Sequence, residues 1–259
     1  MTAPTTVLGA LGMVGMALLI LPLWALVARS PWRDLVDLLG DRTVRAALRL
    51  SLVTSLAAVA VSTLLGVPLA WLLARHEFPG RAMLRALSLL PMVLPPVVGG
   101  VALLLAFGRR GLLGQPLAQL TGVTLPFSTA GVVVAESFVS MPFLVVTVES
   151  GLRIADRRLE DAAATLGAGR WTVLRRVTLP LIGPSLAAGM ALCWARALGE
   201  FGATLTFAGN LPDRTQTMPL AVYLQLERQP EVAYLLSLLL LAVSVAVLIT
   251  LRDRFLRAP

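Results

Sequence analysis

Six stretches of roughly twenty mostly apolar residues, separated by polar connections, constrain this chain more than any other feature of its sequence. They run over Val7–Val27, Leu50–Ala74, Ala86–Phe107, Leu125–Val148, Leu181–Phe207 and Val232–Leu251. A helix needs about 20 such residues to cross a hydrocarbon core, where every backbone N–H and C=O must find its partner inside the protein. The expected fold is therefore all-α and integral to a membrane, with six spanning helices. Composition agrees. The chain is 57% hydrophobic and 14% charged, with a mean hydropathy of +0.83, whereas soluble domains run at about 45–50% apolar and about 25% charged. The first stretch has no charge and no cleavage-like small-residue site before a polar region, so it reads as a retained helix rather than a signal peptide.

The formal charge is +8, and every basic residue is Arg. A basic soluble chain would suggest a nucleic-acid partner, but these arginines sit in short segments between apolar runs, as topology signals do, and no nucleic-acid groove is expected. With both termini cytoplasmic, the inner connections hold Arg75, Arg81, Arg85, Arg153, Arg157, Arg158, Arg170, Arg175, Arg176, Arg252, Arg254 and Arg257. The outer ones hold Arg29, Arg33, Arg42, Arg45, Arg109, Arg110, Arg214 and Arg228. Twelve against eight favours that orientation. The first connection runs against it, and an interfacial amphipathic helix over Asp34–Arg49, with Leu35, Leu38 and Leu39 on one side, would accommodate its charge.

Cys193 and His76 are the single cysteine and histidine. An internal disulfide is impossible, no metal site is expected, and metal or histidine catalysis has no support. His76, between Arg75 and Glu77, reads as solvated.

Prolines inside the spans carry more information. Pro91, Pro95 and Pro96 interrupt the third span just before Gly99 and Gly100, and Pro142 lies in the fourth. Each removes a backbone donor that lipid cannot replace, so the break must face other helices or a water-filled path, unless it only kinks the helix for packing.

The connection between the fourth and fifth spans reads Asp156-Arg-Arg-Leu-Glu-Asp-Ala-Ala-Ala-Thr-Leu-Gly167. Asp156 can cap a helix, with Glu160 and Asp161 near its positive end. Ala162, Ala163 and Ala164 favour helix and leave a thin surface, followed by Leu166. Gly167 or Gly169 can supply the left-handed residue that ends it. A second segment, Arg170–Leu179, leads to Pro180. A helix with such small side chains suits a groove on another protein; an ordinary amphipathic surface helix is the plain alternative.

This loop resembles the signature of binding-protein-dependent ABC importer permeases: Glu-Ala-Ala, three residues, Gly, nine residues, then Ile-x-Leu-Pro. The matching positions are Asp161, Ala162, Ala163, Gly167, Val177, Leu179 and Pro180, with Asp for Glu and Val for Ile. The resemblance implies a type I importer permease (MetI-like) fold and makes this the coupling helix that docks on a separate ATPase subunit. It extends over roughly Asp41 to the C-terminus. The run Ala-Arg-Ala-Leu-Gly-Glu-Phe-Gly-Ala-Thr-Leu-Thr-Phe-Ala-Gly-Asn210 is similar to molybdate permeases, as are Leu-Pro-Pro-Val-Val-Gly-Gly from Leu94 and Thr217-Met-Pro-Leu-Ala-Val-Tyr223. Sulfate and thiosulfate permeases are close relatives. The implied division is 1–40, the first span with its outer connection, and 41–259, a five-span core with its coupling loop at 150–180.

What the resemblance implies is ATP-driven import of molybdate, with tungstate as a possible cargo, by alternating access. The chain would work as a homodimer in the lipid of a bacterial plasma (inner) membrane, with a cytoplasmic ABC ATPase dimer and an extracytoplasmic molybdate-binding protein. Electrostatics supports a need for energy: a dianion entering a negative-inside cell faces roughly 4.6 kcal/mol per 100 mV. There is no GxxxxGK[ST] loop, so ATP and Mg are expected on the partner, with no cofactor and no catalytic residue on this chain. In the fifth span Arg196 and Glu200 share a helical face. They either neutralise each other or, with Gly199, Gly202, Thr204, Thr206, Pro95 and Pro96, line a gate or pathway. Glu136 is expected to pair with an Arg or reach the solvated rim. Two other readings are a sulfate or thiosulfate permease and an ion-coupled secondary transporter; the latter expects inverted repeats and buried coupling carboxylates.

Overall fold

The computed structural model describes residues 3–256, and the side chains of residues 3–6, 247–248 and 250–256 are not among those described. Arg257, counted above among the inner arginines, lies outside the described residues, as do the side chains of Arg252 and Arg254. Thirteen helices make up the described chain, and no strand occurs among those residues.

Helix α1 (Ala3–Arg29) is apolar all round, and its Val7–Arg29 portion is exposed along its length. Its main contact among the described residues is with the last helix. A 3-10 turn at Trp32–Asp34 leads into the short α2 (Leu35–Gly40). The expected interfacial helix over Asp34–Arg49 is not one element. Asp41 adopts an extended backbone and accepts hydrogen bonds from the amides of Thr43 (2.7 Å) and Val44 (3.1 Å), so it caps a new helix. Arg42–Arg49 therefore forms the first turns of α3 (Arg42–Arg75).

Helix α3 has 34 residues, and its buried face carries Ser51, Thr54, Ser55, Ala58, Ser62, Gly66 and Ala70 at helical spacing. Small side chains let another backbone approach closely. That backbone belongs to α7 (Thr129–Ile154), capped by Ser128, whose hydroxyl accepts from the Gly131 amide at 3.1 Å. At Gly66 an added Cβ would stand 3.0 Å from Leu144 of α7. Buried on most sides, α7 is the centre of the bundle.

The third and fifth apolar stretches are not straight rods. The third is α4 (Arg81–Val93) and α5 (Pro96–Phe107), bent by 118° at Leu94-Pro95. Neither proline offers an N–H, and Pro95 holds Leu94 extended at ψ 136°. A short outer helix, α6 (Gly114–Thr121), follows, and then α7. Beyond α7 come α8 (Arg157–Thr165) and α9 (Arg170–Leu181), the latter containing a π-turn at Leu174–Thr178. A 70° bend joins α9 to α10 (Gly183–Leu198), which breaks at Gly199–Phe201 before α11 (Gly202–Ala208). The chain ends with α12 (Met218–Arg228) and α13 (Pro230–Leu256). Three helices are single spans by length and apolarity, and the two bent pairs bring the number to five. The sixth segment is α13, whose described apolar stretch is Pro230–Ala246.

The core lies between α3, α7 and α10, around Leu73, Leu144, Leu152, Cys193 and Trp194. It holds the broken helices against two continuous ones.

Candidate functional site

Two places concentrate the residues singled out by sequence. The first is α8. Asp156 caps it, accepting from the Arg158 amide at 2.9 Å. At the other end the Ala168 amide donates to the Ala163 carbonyl and the Gly167 amide to the Ala164 carbonyl, both at 3.0 Å. This is a Schellman ending, and Gly167 supplies its left-handed residue at φ +85°. Gly169, the other candidate, instead precedes α9 with an ordinary φ of −66°.

Glu160 does not point the way its neighbours do. Its carboxylate meets Arg75 at 2.8 Å and accepts from the Thr178 hydroxyl at 3.0 Å. It thus ties α8 to the end of α3 and to α9. Arg157 adds a bond to the Arg75 carbonyl at 3.2 Å. Asp161, Ala162, Ala164, Leu166 and Gly167 remain exposed, Leu166 at 89%, while Ala163 is half-buried. Trp171 is exposed nearby; Leu179 is half-buried and Pro180 exposed at the end of α9. The result is a firmly held short helix that presents a small-residue face to whatever lies beyond it.

The second place is where α5 and α11 meet. Both start directly after a helix break and run side by side in one direction, with Pro96 opposite Gly202 and Gly100 opposite Thr206. An added Cβ would stand 2.6 Å from Pro96 Cβ at Gly202 and 2.5 Å from Thr206 Cβ at Gly100, so only glycine permits this approach. Glu200 is buried, meets Arg196 at 2.6 Å, and accepts from the Ala203 amide at 2.8 Å. It stabilises the first turn of α11 while its charge is balanced by Arg196. Thr204 is buried with no partner for its hydroxyl, Gly199 ends α10, and Pro95 is exposed beside the break.

Residues 66–258 match the family described as the inner membrane component of binding-protein-dependent transport systems. The chain belongs to that family of transport permeases. Its relatives include the molybdenum transport system permease protein ModB of Mycobacterium tuberculosis, 48% identical over 91% of this chain and 89% of that protein. The sulfate transport system permease protein CysT of Escherichia coli is more distant, 36% identical over 92% of this chain and 88% of its own length. Among solved structures, a bacterial alginate ABC transporter in complex with an alginate pentasaccharide-bound periplasmic protein superposes with a TM-score of 0.74. It is 14% identical and covers 97% of this chain and 95% of that one. The permease thus has the MetI-like importer fold.

Several features of the permease escaped the sequence reading. Glu136 neither pairs with an Arg nor reaches a rim: it is buried on α7 and accepts from the Thr54 hydroxyl of α3 at 2.9 Å, and its second oxygen has no partner. The small polar seam of α3 provides this donor, and Ser51 on the same face accepts from the Met218 amide at 2.7 Å, fastening the start of α12. The three- and four-residue spacing of Ser51, Thr54, Ser55 and Ser62 was the available signal. Glu149 on α7 is flanked by Arg85 (2.5 Å) and Arg153 (2.8 Å); the second pair was readable as an i,i+4 spacing. His76 is exposed and packs edge-on against Trp71. Among the described residues no group of three His, Cys, Asp or Glu converges as a metal site would require.

Proposed function

We propose that this permease imports molybdate across the plasma membrane as a homodimer, driven by a separate cytoplasmic ATPase and supplied by an outer binding protein. The observation that carries the reading is the tether at Glu160. A helix meant to pass on movement must be fixed to what it moves, and Glu160 joins α8 to the end of α3 through Arg75 and to α9 through Thr178. The exposed Ala162, Ala164 and Leu166, with the half-buried Ala163 between them, are left for the ATPase. Closure of two ATPase subunits on ATP would draw two such helices together. Each would carry α3 and the bent α9–α10 segment as a rigid body, the repertoire expected of alternating access.

The gate in this reading is the α5–α11 pair with Gly202, Gly100 and the Arg196–Glu200 bridge. Glycine contacts pack tightly when closed yet slide without interlocking side chains. Molybdate is favoured over sulfate by the stronger similarity to the molybdenum permease. The orientation is the one that places α8 and the inner arginines in the cytoplasm.

The deciding experiment is uptake of labelled molybdate into proteoliposomes holding the permease, its ATPase and the binding protein. Uptake that needs ATP and persists in excess sulfate supports the proposal. Sulfate competition equal to that of unlabelled molybdate would reassign the cargo. Accumulation by the permease alone under an ion gradient would overturn the mechanism.

A further inference from the structure

Four elements meet at the end of the bundle that bears α8: the last turn of α3, the first of α4, the last of α7 and the first of α8. Between them lies a hollow of about 620 Å³ lined by Arg75, Arg81, Arg153 and Arg157 with Glu77 and Asp156. Arg75 and Arg153 are paired with Glu160 and Glu149 outside the lining, Asp156 is engaged as the cap of α8, and Arg81 and Arg157 meet no carboxylate.

The arginines are only partly used. Arg75 gives Nη2 to Glu160, Arg81 gives Nε to the Leu73 carbonyl (2.8 Å), Arg153 gives Nη2 to Glu149, and Arg157 gives Nη2 to the Arg75 carbonyl. Each guanidinium has five N–H groups on three nitrogens, so every one of the four retains unused donors among the described residues. Arg81 and Arg157 are the most telling, because neither meets a carboxylate and each gives its bond to a backbone carbonyl. The natural complement of guanidinium forks left open in this way is an oxyanion that accepts from several at once.

We infer that this hollow binds a phosphate-type tetrahedral anion that bridges α3, α4, α7 and α8 at the root of the coupling helix. The chemistry is that of a phospholipid headgroup or of a free oxyanion on the same side. The level fits a headgroup, since α3 and α7 are membrane spans that end here and Ile154 on the rim is 82% exposed. Occupancy adds a link among segments that the Arg75–Glu160 pair and the Arg157 bond to the Arg75 carbonyl already join to α8. This site does not depend on the identity of the cargo.

The full-length permease is placed in nanodiscs of phosphatidylcholine alone or with phosphatidylglycerol, and retained lipid is read by native mass spectrometry. In the neutral discs its unfolding temperature is followed as inorganic phosphate or molybdate is added. Selective retention of phosphatidylglycerol, weakened about five-fold in Arg81→Gln and again in Arg157→Gln, assigns the site to lipid. Stabilisation by phosphate or molybdate in neutral discs, absent from the same variants, assigns it to a free anion. Arg157→Lys keeps the charge and is expected to restore much of the effect, which a merely structural arginine would not require. Equal retention in wild type and variants, together with no stabilisation by either anion, overturns the inference.

Discussion

Glu136 is buried, with one oxygen bonded to Thr54 and the other to nothing among the described residues. Buried polar atoms of this kind cost most when a single partner is removed, and little when both go together. Thr54→Val is therefore expected to destabilise the permease by about 1–3 kcal/mol, and adding Glu136→Leu to recover most of the loss. Thermal unfolding of the single and double variants in detergent checks this. Asp41 behaves differently, being exposed at the start of α3. The Val44 amide, and then that of Thr43, hold its carboxyl below the ordinary value of 3.8. The cap thus contributes fully above that value and is lost as the pH falls through the depressed folded-state pKa. Asp41→Ala should cost about 1 kcal/mol at neutral pH, and the gap from wild type should close as the solution is acidified below 3.8. The position of Glu136 in an apolar run was legible, but its partner was not: Thr54 lies 82 residues away, and nothing local encodes that meeting.

At the scale of elements, α8 and the α5–α11 pair make distinct demands on glycine. Gly167 has no atom within 4 Å of an added Cβ, so its substitution meets only backbone strain at φ +85°. Gly167→Ala should cost about 1–2 kcal/mol and speed amide exchange at the end of α8, with the bundle otherwise unchanged. Gly202 faces Pro96 at contact distance, so Gly202→Leu forces α5 and α11 apart at a packing cost of about 1–3 kcal/mol or more. Uptake should be abolished while assembly with the ATPase persists; unchanged uptake would remove the gate. The ends of α8 could be read in advance because caps are local, with Asp156 and Gly167 both inside one short window. The break at Pro95-Pro96 was equally visible. Its 118° angle was not, because proline dictates where a helix stops while packing on α11 and α7 decides where the chain goes next.

For the molecule as a whole, the number of apolar segments and the all-helical class followed from the length of each stretch against the thickness of a bilayer. The pairing of segments did not, since α3, α7 and α10 are far apart in sequence, and the helical spacing of small residues on α3 marks a contact face without naming its partner. Arg75 and Glu160, 85 residues apart, show the same gap. Glu160→Gln keeps an acceptor for Thr178 but loses the ion pair with Arg75. The expected outcome is uncoupling: ATP hydrolysis by the reconstituted complex continues, while molybdate delivered per ATP falls. A variant with both rates intact would show that α8 needs no fastening to α3.

From its cap at Asp41 to Arg75, α3 runs about 51 Å as one helix that continues through Pro68. A tilt of about ten degrees about its α8 end would sweep the opposite end through roughly 9 Å, given the 1.5 Å rise per residue. A small displacement on one face of the membrane would in this way become a large one on the other, with no need for any helix to unwind.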